Sequence, residues 1–300
     1  KLSCLLLFLF LLTSPALGAS RPNVLFIAID DLNHWVTHLG RNPQAKTPNI
    51  DRLASMGVTF RNAHTAVPAC EPSRCALMSG RRPWTSGCYK NGDSWKKFQK
   101  VGEGLSAQFL KAGYHVAGAG KIYHSMAYHP EEWTEYMDKS GFHSNGPGVD
   151  KMDGYHVDKV HPDLKDEDII DWHITDYCIE RISRKHDKPF FMGVGFYRPH
   201  VPMYATKKWF DMHPRDLVKL PAVRKDDIND LSQYAIDLTN LEHVSPTHEW
   251  VTGAGQWEHA VQSYLASVTF ADHCLGLVLD ALEKSEYADN TIIALFSDHG

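Results

Sequence analysis

The chain has 300 residues, of which 43% are hydrophobic and 22% are charged, an ordinary composition for a globular protein with a buried core. Its formal net charge of −5 argues against general binding to nucleic acid, which needs clustered positive charge. An anionic ligand would have to be held by a few local cations, because the overall field weakly repels it.

The first residues of the chain predict a secretory signal peptide. Lys1 precedes an apolar run, and a segment of small residues ends at Gly18. The run is short and poorly flanked for a membrane span. We therefore expect cleavage near Gly18, no stable membrane anchor, and export of residues 19–300 to a periplasm, the extracellular space or a lysosomal-type lumen. A retained N-terminal anchor is the alternative to a signal over residues 1–18.

The cysteine count adds a constraint if the protein is exported, because disulfides form in oxidising compartments. An odd number of cysteines means that at least one thiol is free, intermolecular or chemically altered. The pairing among the others cannot be read from the sequence. The five that remain after cleavage are Cys70, Cys75, Cys88, Cys178 and Cys274.

The predicted elements begin with a strand in the apolar run NVLFIAIDD, residues 23–31, which suits a strand buried on both faces. A short helix follows, with Thr47-Pro48 at its start and Gly57 at its end. A second helix over about Leu105–Lys111 leads into the strand YHVAGAG. The first half of the chain therefore alternates strands with helices.

The second half continues this alternation. KPFFMGVGFYRPHVP predicts a buried strand that runs into a loop, residues 259–284 have helical spacing, and TIIALFS predicts one more core strand. Such alternation implies an α/β fold with a largely parallel central sheet and helices on both faces. Residues 125–168 and 211–258 are interpreted as long surface excursions near the site. Because the sequence stops at a strand followed by a loop, we expect the C-terminal part of the domain to be missing.

Polar side chains follow four of the predicted strands, at the point where each strand ends. In an open α/β sheet, ligands bind outside these carboxyl ends, so the side chains are expected to meet. Clustered carboxylates tolerate each other around a divalent cation, and oxygen-rich ligation selects calcium or magnesium rather than zinc. Considered alone, an acidic pair at a strand end could equally be a helix cap or a solvated turn. A single histidine could equally be a structural residue. The groups are Asp30 and Asp31, Lys121 and His124, Arg198 and His200, and Asp298 and His299.

The stretch AVPACEPSRCALMSGRRP, residues 66–83, predicts a helix that begins near Cys70. Pro72 suits the first turn, where its missing N–H costs nothing, and Gly80 ends the helix. Free N–H groups at a helix N-terminus favour an anion. Arg74, one turn further on, can project along the same face and hold an oxyanion or the shell of a metal. The alternative is a buried structural cysteine or half of a disulfide.

This stretch resembles the signature of the type I sulfatases: Cys-x-Pro-Ser-Arg, four further residues, then Ser79-Gly80, where the family usually has Thr in place of Ser79. The similarity continues through NVLFIAIDDL, TPNIDRLASMGVTFRNAH, GYHVAGAGKIYH, FYRPHVP, YLASVTFADHCLG and TIIALFSDHG. GKIYH, FYRPHVP and the SDHG ending most resemble the iduronate-2-sulfatase branch. The resemblance implies an alkaline-phosphatase-like fold and a catalytic domain over residues 19–300 that is incomplete at its C-terminus.

The resemblance also implies a modified residue and a metal. In that family a separate maturation enzyme oxidises the cysteine of the signature, here Cys70, to formylglycine (3-oxoalanine). The hydrate of this aldehyde displaces the alcohol from the sulfur of a sulfate ester. One calcium ion would be bound by the formylglycine at Cys70 and by Asp30, Asp31, Asp298 and His299.

Four further residues receive roles by matched position. Arg74 and Lys121 would hold the hydrate and the sulfate. His124 would orient the hydrate and accept its proton in the elimination step. His200 would contact the sulfate and help to protonate the leaving oxygen. A further lysine of the family is expected after residue 300.

The branch implies a sulfate ester on a uronic acid or related sugar, in heparan sulfate, dermatan sulfate or another sulfated polysaccharide. The expected partners are a sulfated saccharide and the maturation enzyme, and not nucleic acid. Two rival hypotheses stay open. One is a phosphatase, phosphodiesterase or phosphonate monoester hydrolase of the same superfamily, and the other is a non-catalytic protein that binds sulfated glycans. Arg198, Trp84 and Trp95 are candidates for the sugar subsite.

Overall fold

The computed structural model describes residues 21–124, 127–138, 164–203, 205–239 and 247–300. The predicted signal peptide and most of the first surface excursion lie outside these residues.

A parallel sheet forms the centre of the described structure, with its five strands in the order β3-β2-β4-β1-β5. The inner strands are rich in apolar residues because both faces of the sheet are covered. The predicted α/β fold with a largely parallel sheet is confirmed. The strands are β1 (Asn23–Ile29), β2 (His115–Gly120), β3 (Glu135–Tyr136), β4 (Phe190–Phe196) and β5 (Thr291–Ser297).

Nine α-helices lie in the described part of the chain, and short 3₁₀ turns connect several of the elements. The helices are α1 (Pro48–Met56), α2 (Cys70–Ser79), α3 (Pro83–Ser86), α4 (Leu105–Lys111), α5 (Ile170–Ile182), α6 (Lys207–Asp211), α7 (Gln233–Thr239), α8 (His248–Gly253) and α9 (Trp257–Glu283). The 3₁₀ turns are Thr37–Leu39, Trp95–Lys97, Pro130–Glu132, Asp166–Asp168, Arg215–Leu217 and Ala288–Asn290.

The two faces of the sheet bury two different apolar cores, because successive side chains of a strand point to opposite faces. In β1, Leu25 and Ile27 belong to the larger core, which also contains side chains of α1, α5, α6 and α9. Val24 and Phe26 pack against the second core, which contains side chains of α2 and α4. Helices therefore cover both faces, as the alternating pattern predicted.

The start of α1 is stabilised by a residue from a distant helix. The prediction placed this start at Thr47-Pro48, and Pro48 is indeed the first helical residue, but the Thr47 side chain makes no capping hydrogen bond. The carboxylate of Asp272, on α9, instead accepts hydrogen bonds from the backbone N–H groups of Asn49 at 3.1 Å and Ile50 at 2.8 Å. These amides have no partner within the helix, so Asp272 fixes α1 onto α9.

The longest helix, α9, was predicted over residues 259–284 and is observed over Trp257–Glu283. Among the described helices it is long and apolar enough, by length and composition, to cross a membrane, with a mean hydropathy of 1.4 in its most apolar window. Most of that window is buried inside the fold. Its apolar character is explained by contacts with α1, α5 and the sheet.

Strand β3 and helices α3, α5, α6, α7 and α8 were not predicted from the sequence. Helix α5 carries Ile170, Ile174, Cys178 and Ile182 in the larger core, at a spacing of four residues that is typical of a buried helical face. The aspartates and histidines between them obscured this spacing in the sequence. Strand β3 has only two residues, which is too short for a periodic signal.

Candidate active site at the carboxyl ends of the strands

The strand ends meet as the topology rule predicts. Asp30 follows β1, and its backbone N–H donates to the carbonyl of Phe196 in β4 at 3.2 Å. Lys121 follows β2, and its N–H donates to the carbonyl of Gly195 at 2.8 Å. Asp298 follows β5, the other neighbour of β1. Residues far apart in sequence are therefore brought to one edge of the sheet.

Two glycines allow this close meeting of β2 and β4. A Cβ atom on Gly195 would overlap the backbone of Lys121, and a Cβ on Gly120 would overlap the Gly195 carbonyl. Gly120 also has a φ of 70°, a conformation that glycine adopts without steric cost. Both positions therefore require glycine if Lys121 is to reach the first strand.

Asp31 has a φ of 62°, which is uncommon for a residue with a side chain. The hydroxyl of Tyr264, on α9, donates to the Asp31 carbonyl at 2.7 Å and accepts from the Asn33 N–H at 2.8 Å. The Asp31 N–H also donates to Asp298 Oδ1 at 3.3 Å. The strained backbone is thus held from both sides, as is common at functional sites.

Cys70 is the first residue of α2, and Gly80 ends the helix in the left-handed conformation, so the predicted helix is confirmed. The buried thiol lies within the carboxylate cluster. Its Sγ is 3.0 Å from His299 Nε2 and 3.6 Å from Asp30 Oδ1. All five cysteines in the described ranges have free thiols, so Cys70 is not half of a disulfide there.

Arg74 is fully buried and links three strand ends. Its Nε donates to Asp298 Oδ2 at 2.8 Å, and Nη1 bonds to the Lys121 carbonyl. Its Nη2 lies 3.4 Å from Asp30 Oδ1, but among the described residues it has no hydrogen-bond acceptor. A buried donor without an acceptor is costly, so this atom is suited to an anionic ligand.

Four side chains form a group that could hold a metal ion. One ligand atom from each of Asp30, Cys70, Asp298 and His299 lies within 4.8 Å of the others. Asp31 is not part of this group, but its Oδ1 is 2.9 Å from His299 Nδ1. The imidazole nitrogen of His299 is a ligand more typical of zinc, copper or iron than of calcium. The carboxylate oxygens of Asp30 and Asp298 fit a hard cation such as calcium. The group therefore fits calcium through its two carboxylates.

The charges of the cluster are strongly coupled. Burial raises the pKa of Asp30, but Arg74 and Lys121 lower it by more, so that it lies far below its usual range. Burial raises the pKa of Asp298 against the opposing effect of Arg74. Burial lowers the pKa of His299, but hydrogen bonds with Asp31 and Cys70 raise it to about 10.

The thiol and the two further histidines also have shifted pKa values. Burial raises the pKa of the Cys70 thiol, but hydrogen bonds with His200 and His299 lower it by more, which favours the thiolate. For His200, burial lowers the pKa while the bond to Cys70 and the charge of Asp30 raise it overall. For His124, burial and the charge of Lys121 lower the pKa. His124 Nδ1 lies 3.6 Å from Glu71 Oε2.

The family model described as "Sulfatase" matches residues 22–300. The chain belongs to the sulfatase family. A protein named sulfatase from Formosa agariphila is 38% identical over 93% of this chain and 59% of its own length. Mouse iduronate 2-sulfatase is 30% identical over 98% of this chain and 57% of its own length. The chain therefore spans less than two thirds of the length of either relative.

A solved structure shows the same fold. The phosphonate monoester hydrolase of Agrobacterium radiobacter superposes with a TM-score of 0.74 over 93% of this sulfatase chain and 63% of its own, at 18% identity. The superposition supports the alkaline-phosphatase-like fold. An identity of 18% leaves the substrate open.

The three residues proposed for the sugar subsite have different surroundings in the structure. Trp95 is buried and stacks on Tyr123, with ring centroids 4.0 Å apart. Arg198 is buried, and its Nη1 donates to the His200 carbonyl at 2.8 Å. These two side chains therefore support the core and the loop after β4. Trp84 is 66% exposed and lies under the guanidinium of Arg82.

Two residues that support the site were missed in the sequence. Glu71, next to Cys70, is buried and accepts hydrogen bonds from the N–H groups of Gly92 at 2.6 Å and Trp95 at 2.7 Å. Tyr264 holds Asp31, as described above. An acidic residue in the first turn of a helix is common for helix stability alone, so nothing in the sequence indicates that Glu71 fixes a separate loop.

Proposed function

We propose that this chain carries the catalytic residues of an exported sulfatase that hydrolyses a sulfate ester on a sulfated sugar. The family membership supports sulfate ester chemistry. The observation that carries the proposal is the position of Cys70, whose thiol lies 3.0 Å from His299 Nε2 and 3.6 Å from Asp30 Oδ1. A structural cysteine has no need of such polar surroundings.

The proposal includes conversion of Cys70 to formylglycine by a maturation enzyme and binding of one calcium ion. The aldehyde would supply, as its hydrate, an oxygen nucleophile, and the cation would polarise the sulfate oxygens. The residues that would bind the cation are Asp30, Asp31, Asp298 and His299. His299 Nδ1 pairs with the Asp31 carboxylate at 2.9 Å, and His299 Nε2 is the ring nitrogen that faces Cys70.

Arg74 and Lys121 would bind the sulfate. Both are almost completely buried, so their charges act in a medium of low dielectric constant and attract an anion strongly. Arg74 Nη2 has no acceptor among the described residues, and it can donate to a sulfate oxygen. Asp298 and the Lys121 carbonyl fix the guanidinium in place before the substrate arrives, so binding requires little reorganisation.

The two histidines suit opposite proton transfers. The lowered pKa of His124 favours its neutral form, which can accept a proton. The negative charge of Asp30 favours the protonated form of His200, which can donate a proton to the leaving oxygen. A general acid and a general base with pKa values shifted in opposite directions are the arrangement that ester hydrolysis requires.

The substrate class rests on the relatives. Mouse iduronate 2-sulfatase covers almost the whole chain, and we therefore propose a sulfated uronic acid or related sugar of a glycosaminoglycan or another polysaccharide. The chain has no excess of positive charge, with a net charge of −5. A polyanionic chain would accordingly be recognised locally, at the buried cations of the site.

The test combines chemistry and turnover in protein produced with a maturation enzyme. Mass spectrometry of the Cys70 peptide should show formylglycine in place of the thiol. Sulfate release should then be measured from 2-O-sulfated uronic acid disaccharides, ulvan oligosaccharides and 4-nitrophenyl sulfate. Cys70→Ala should abolish release. Cys75→Ala, the same change on the same helix but in the second apolar core, should retain it.

The rival functions give distinct outcomes. Turnover of phosphate or phosphonate esters in preference to every sulfate ester would overturn the sulfatase proposal in favour of another hydrolase of the superfamily. An intact thiol at Cys70, with tight binding of the disaccharide and no sulfate release, would favour a non-catalytic glycan-binding protein. Full activity of Cys70→Ala would refute the assigned nucleophile.

A further inference from the structure

A cleft of about 360 Å³ adjoins the candidate active site. Its walls come from the segment after β1, from the loop after β4, and from α8 and α9. Most of the side chains that line it are aromatic or apolar, and its floor continues into a small buried cluster that contains Val261 and Leu265. The principal lining residues are Asn33, Trp35, Met203, His248, Trp257 and Tyr264.

The aromatic walls of the cleft are held in fixed orientations. The Trp35 ring packs edge-on against Tyr264, with centroids 5.6 Å apart and an interplanar angle of 85°. The His248 ring packs edge-on against Trp257, at 4.6 Å and 88°. Trp35 and Trp257 also pack against the buried cluster below them. Because each ring is supported by its neighbours, the cleft presents rigid aromatic surface.

The cleft lies next to the backbone of Asp31, beside the site that holds Cys70. Tyr264 lines the cleft, and its hydroxyl donates to the Asp31 carbonyl at 2.7 Å. Asn33 lines the cleft two residues beyond Asp31, and Met203 lines it three residues beyond His200. A substrate whose sulfate is bound by Arg74 and Lys121, beside Cys70, would therefore have this cleft within reach of its neighbouring atoms.

We propose that this cleft is a saccharide subsite that binds a pyranose ring of the sulfated substrate. The inference rests on the proposed sulfatase function and adds the surface that selects a sugar. Pyranose rings have apolar faces of C–H groups and a polar rim of hydroxyls. Trp257 and Trp35 offer flat apolar surface to such a face, and Asn33 and His248 offer polar groups to the hydroxyls.

The composition of the cleft distinguishes it from a lipid or protein-docking groove. It is small, its rings stand at steep angles to each other, and polar groups lie among them. Ligand pockets for small molecules combine aromatic lining with a few placed polar groups in this way. A single sugar unit next to the sulfate fits this size.

The test measures binding in the Cys70→Ala background, where the substrate is not consumed. Dissociation constants should be measured by calorimetry for a 2-O-sulfated uronic acid disaccharide and for inorganic sulfate. Trp257→Ala should weaken binding of the disaccharide by about ten-fold, the factor that 1.4 kcal/mol represents, and should leave binding of inorganic sulfate unchanged. Trp257→Phe, which keeps an aromatic ring, should restore most of the affinity.

Tyr234→Ala is the control, because Tyr234 is an exposed aromatic residue that does not line the cleft. It should alter neither dissociation constant. Unchanged disaccharide affinity in Trp257→Ala, or an equal loss in Tyr234→Ala, would overturn the subsite. If the unsubstituted chain neither binds inorganic sulfate nor releases it from any ester, the proposed function itself fails. If the chain releases sulfate but Trp257→Ala does not weaken disaccharide binding, only the subsite fails.

Discussion

Replacing Tyr264 with phenylalanine tests how the strained residue Asp31 is held in place. The change removes one oxygen atom and leaves the aromatic ring that packs against Trp35. It deletes two hydrogen bonds, one to the Asp31 carbonyl at 2.7 Å and one from the Asn33 N–H at 2.8 Å. Tyr264 is partly buried, so water can replace these bonds only in part.

The magnitude follows from these contacts. Each lost hydrogen bond contributes about 1 kcal/mol net, so the free energy of unfolding should fall by about 2 kcal/mol. The left-handed conformation of Asp31 is itself unfavourable by roughly 1–2 kcal/mol, and its backbone should relax once the hydroxyl is gone. The Asp31 carboxylate would then move away from His299, and sulfate release should fall more steeply than the loss of stability alone explains.

Urea unfolding at pH 7 and sulfate release measured well below the unfolding temperature separate the two effects. Tyr114→Phe is the control, because it removes a single hydrogen bond to the Pro22 carbonyl, at 3.1 Å, beside the start of β2 and away from the site. It should cost about 1 kcal/mol or less and leave turnover unchanged. Equal stability and equal turnover in Tyr264→Phe and the unsubstituted protein would refute this account of Asp31.

Two further predictions concern the scaffold. Burial lowers the pKa of His213 to about 4, so the stability that this residue contributes above pH 6.5 should be lost as the pH falls towards 4, by at most about 3 kcal/mol. His213→Gln should remove this loss when the free energy of unfolding is measured in urea at several pH values. The same pH dependence of stability in the variant and the unsubstituted protein would contradict the prediction. Glu71→Ala leaves the N–H groups of Gly92 and Trp95 without their acceptor and should lower the free energy of unfolding by about 2 kcal/mol. Glu180→Ala breaks only exposed ion pairs and should have a much smaller effect. Equal losses of stability in the two variants would refute the role of Glu71.

The arrangement of the candidate site was predictable because it follows from topology. Once residues 23–29 and 291–297 are recognised as parallel strands, Asp30 and Asp298 must lie at the same end of the sheet. The prediction of a core strand over 291–297 was wrong in one respect, because β5 is an edge strand of the described sheet and is only partly buried. The position of Cys70 at a helix start was predictable from Pro72 and Gly80, which have strong and local conformational preferences.

The supporting contacts were not predictable, because they join residues that are distant in sequence and have no distinctive local pattern. Asp272 caps α1 from 222 positions away, and nothing in the helical spacing of α9 distinguishes it from an ordinary polar residue. Trp95 and Arg198 are amphipathic side chains whose burial depends on their neighbours. Sequence favoured them as surface residues of a subsite, and the structure places them inside the fold.

The buried cluster of Asp30, Arg74, Lys121 and Asp298 joins β1, α2, β2 and β5, and the hydrogen bond from Asp31 to Asp298 spans 267 positions. Such a cluster exists only when all of these segments have assembled, so a ligand that binds it has no counterpart to bind in the unfolded chain. Mass action then requires that such a ligand, held at 100 times its dissociation constant, stabilise the entire fold by about 2.7 kcal/mol. Thermal melting in the presence of candidate cations and sulfated sugars would therefore rank them by affinity, with no need for turnover.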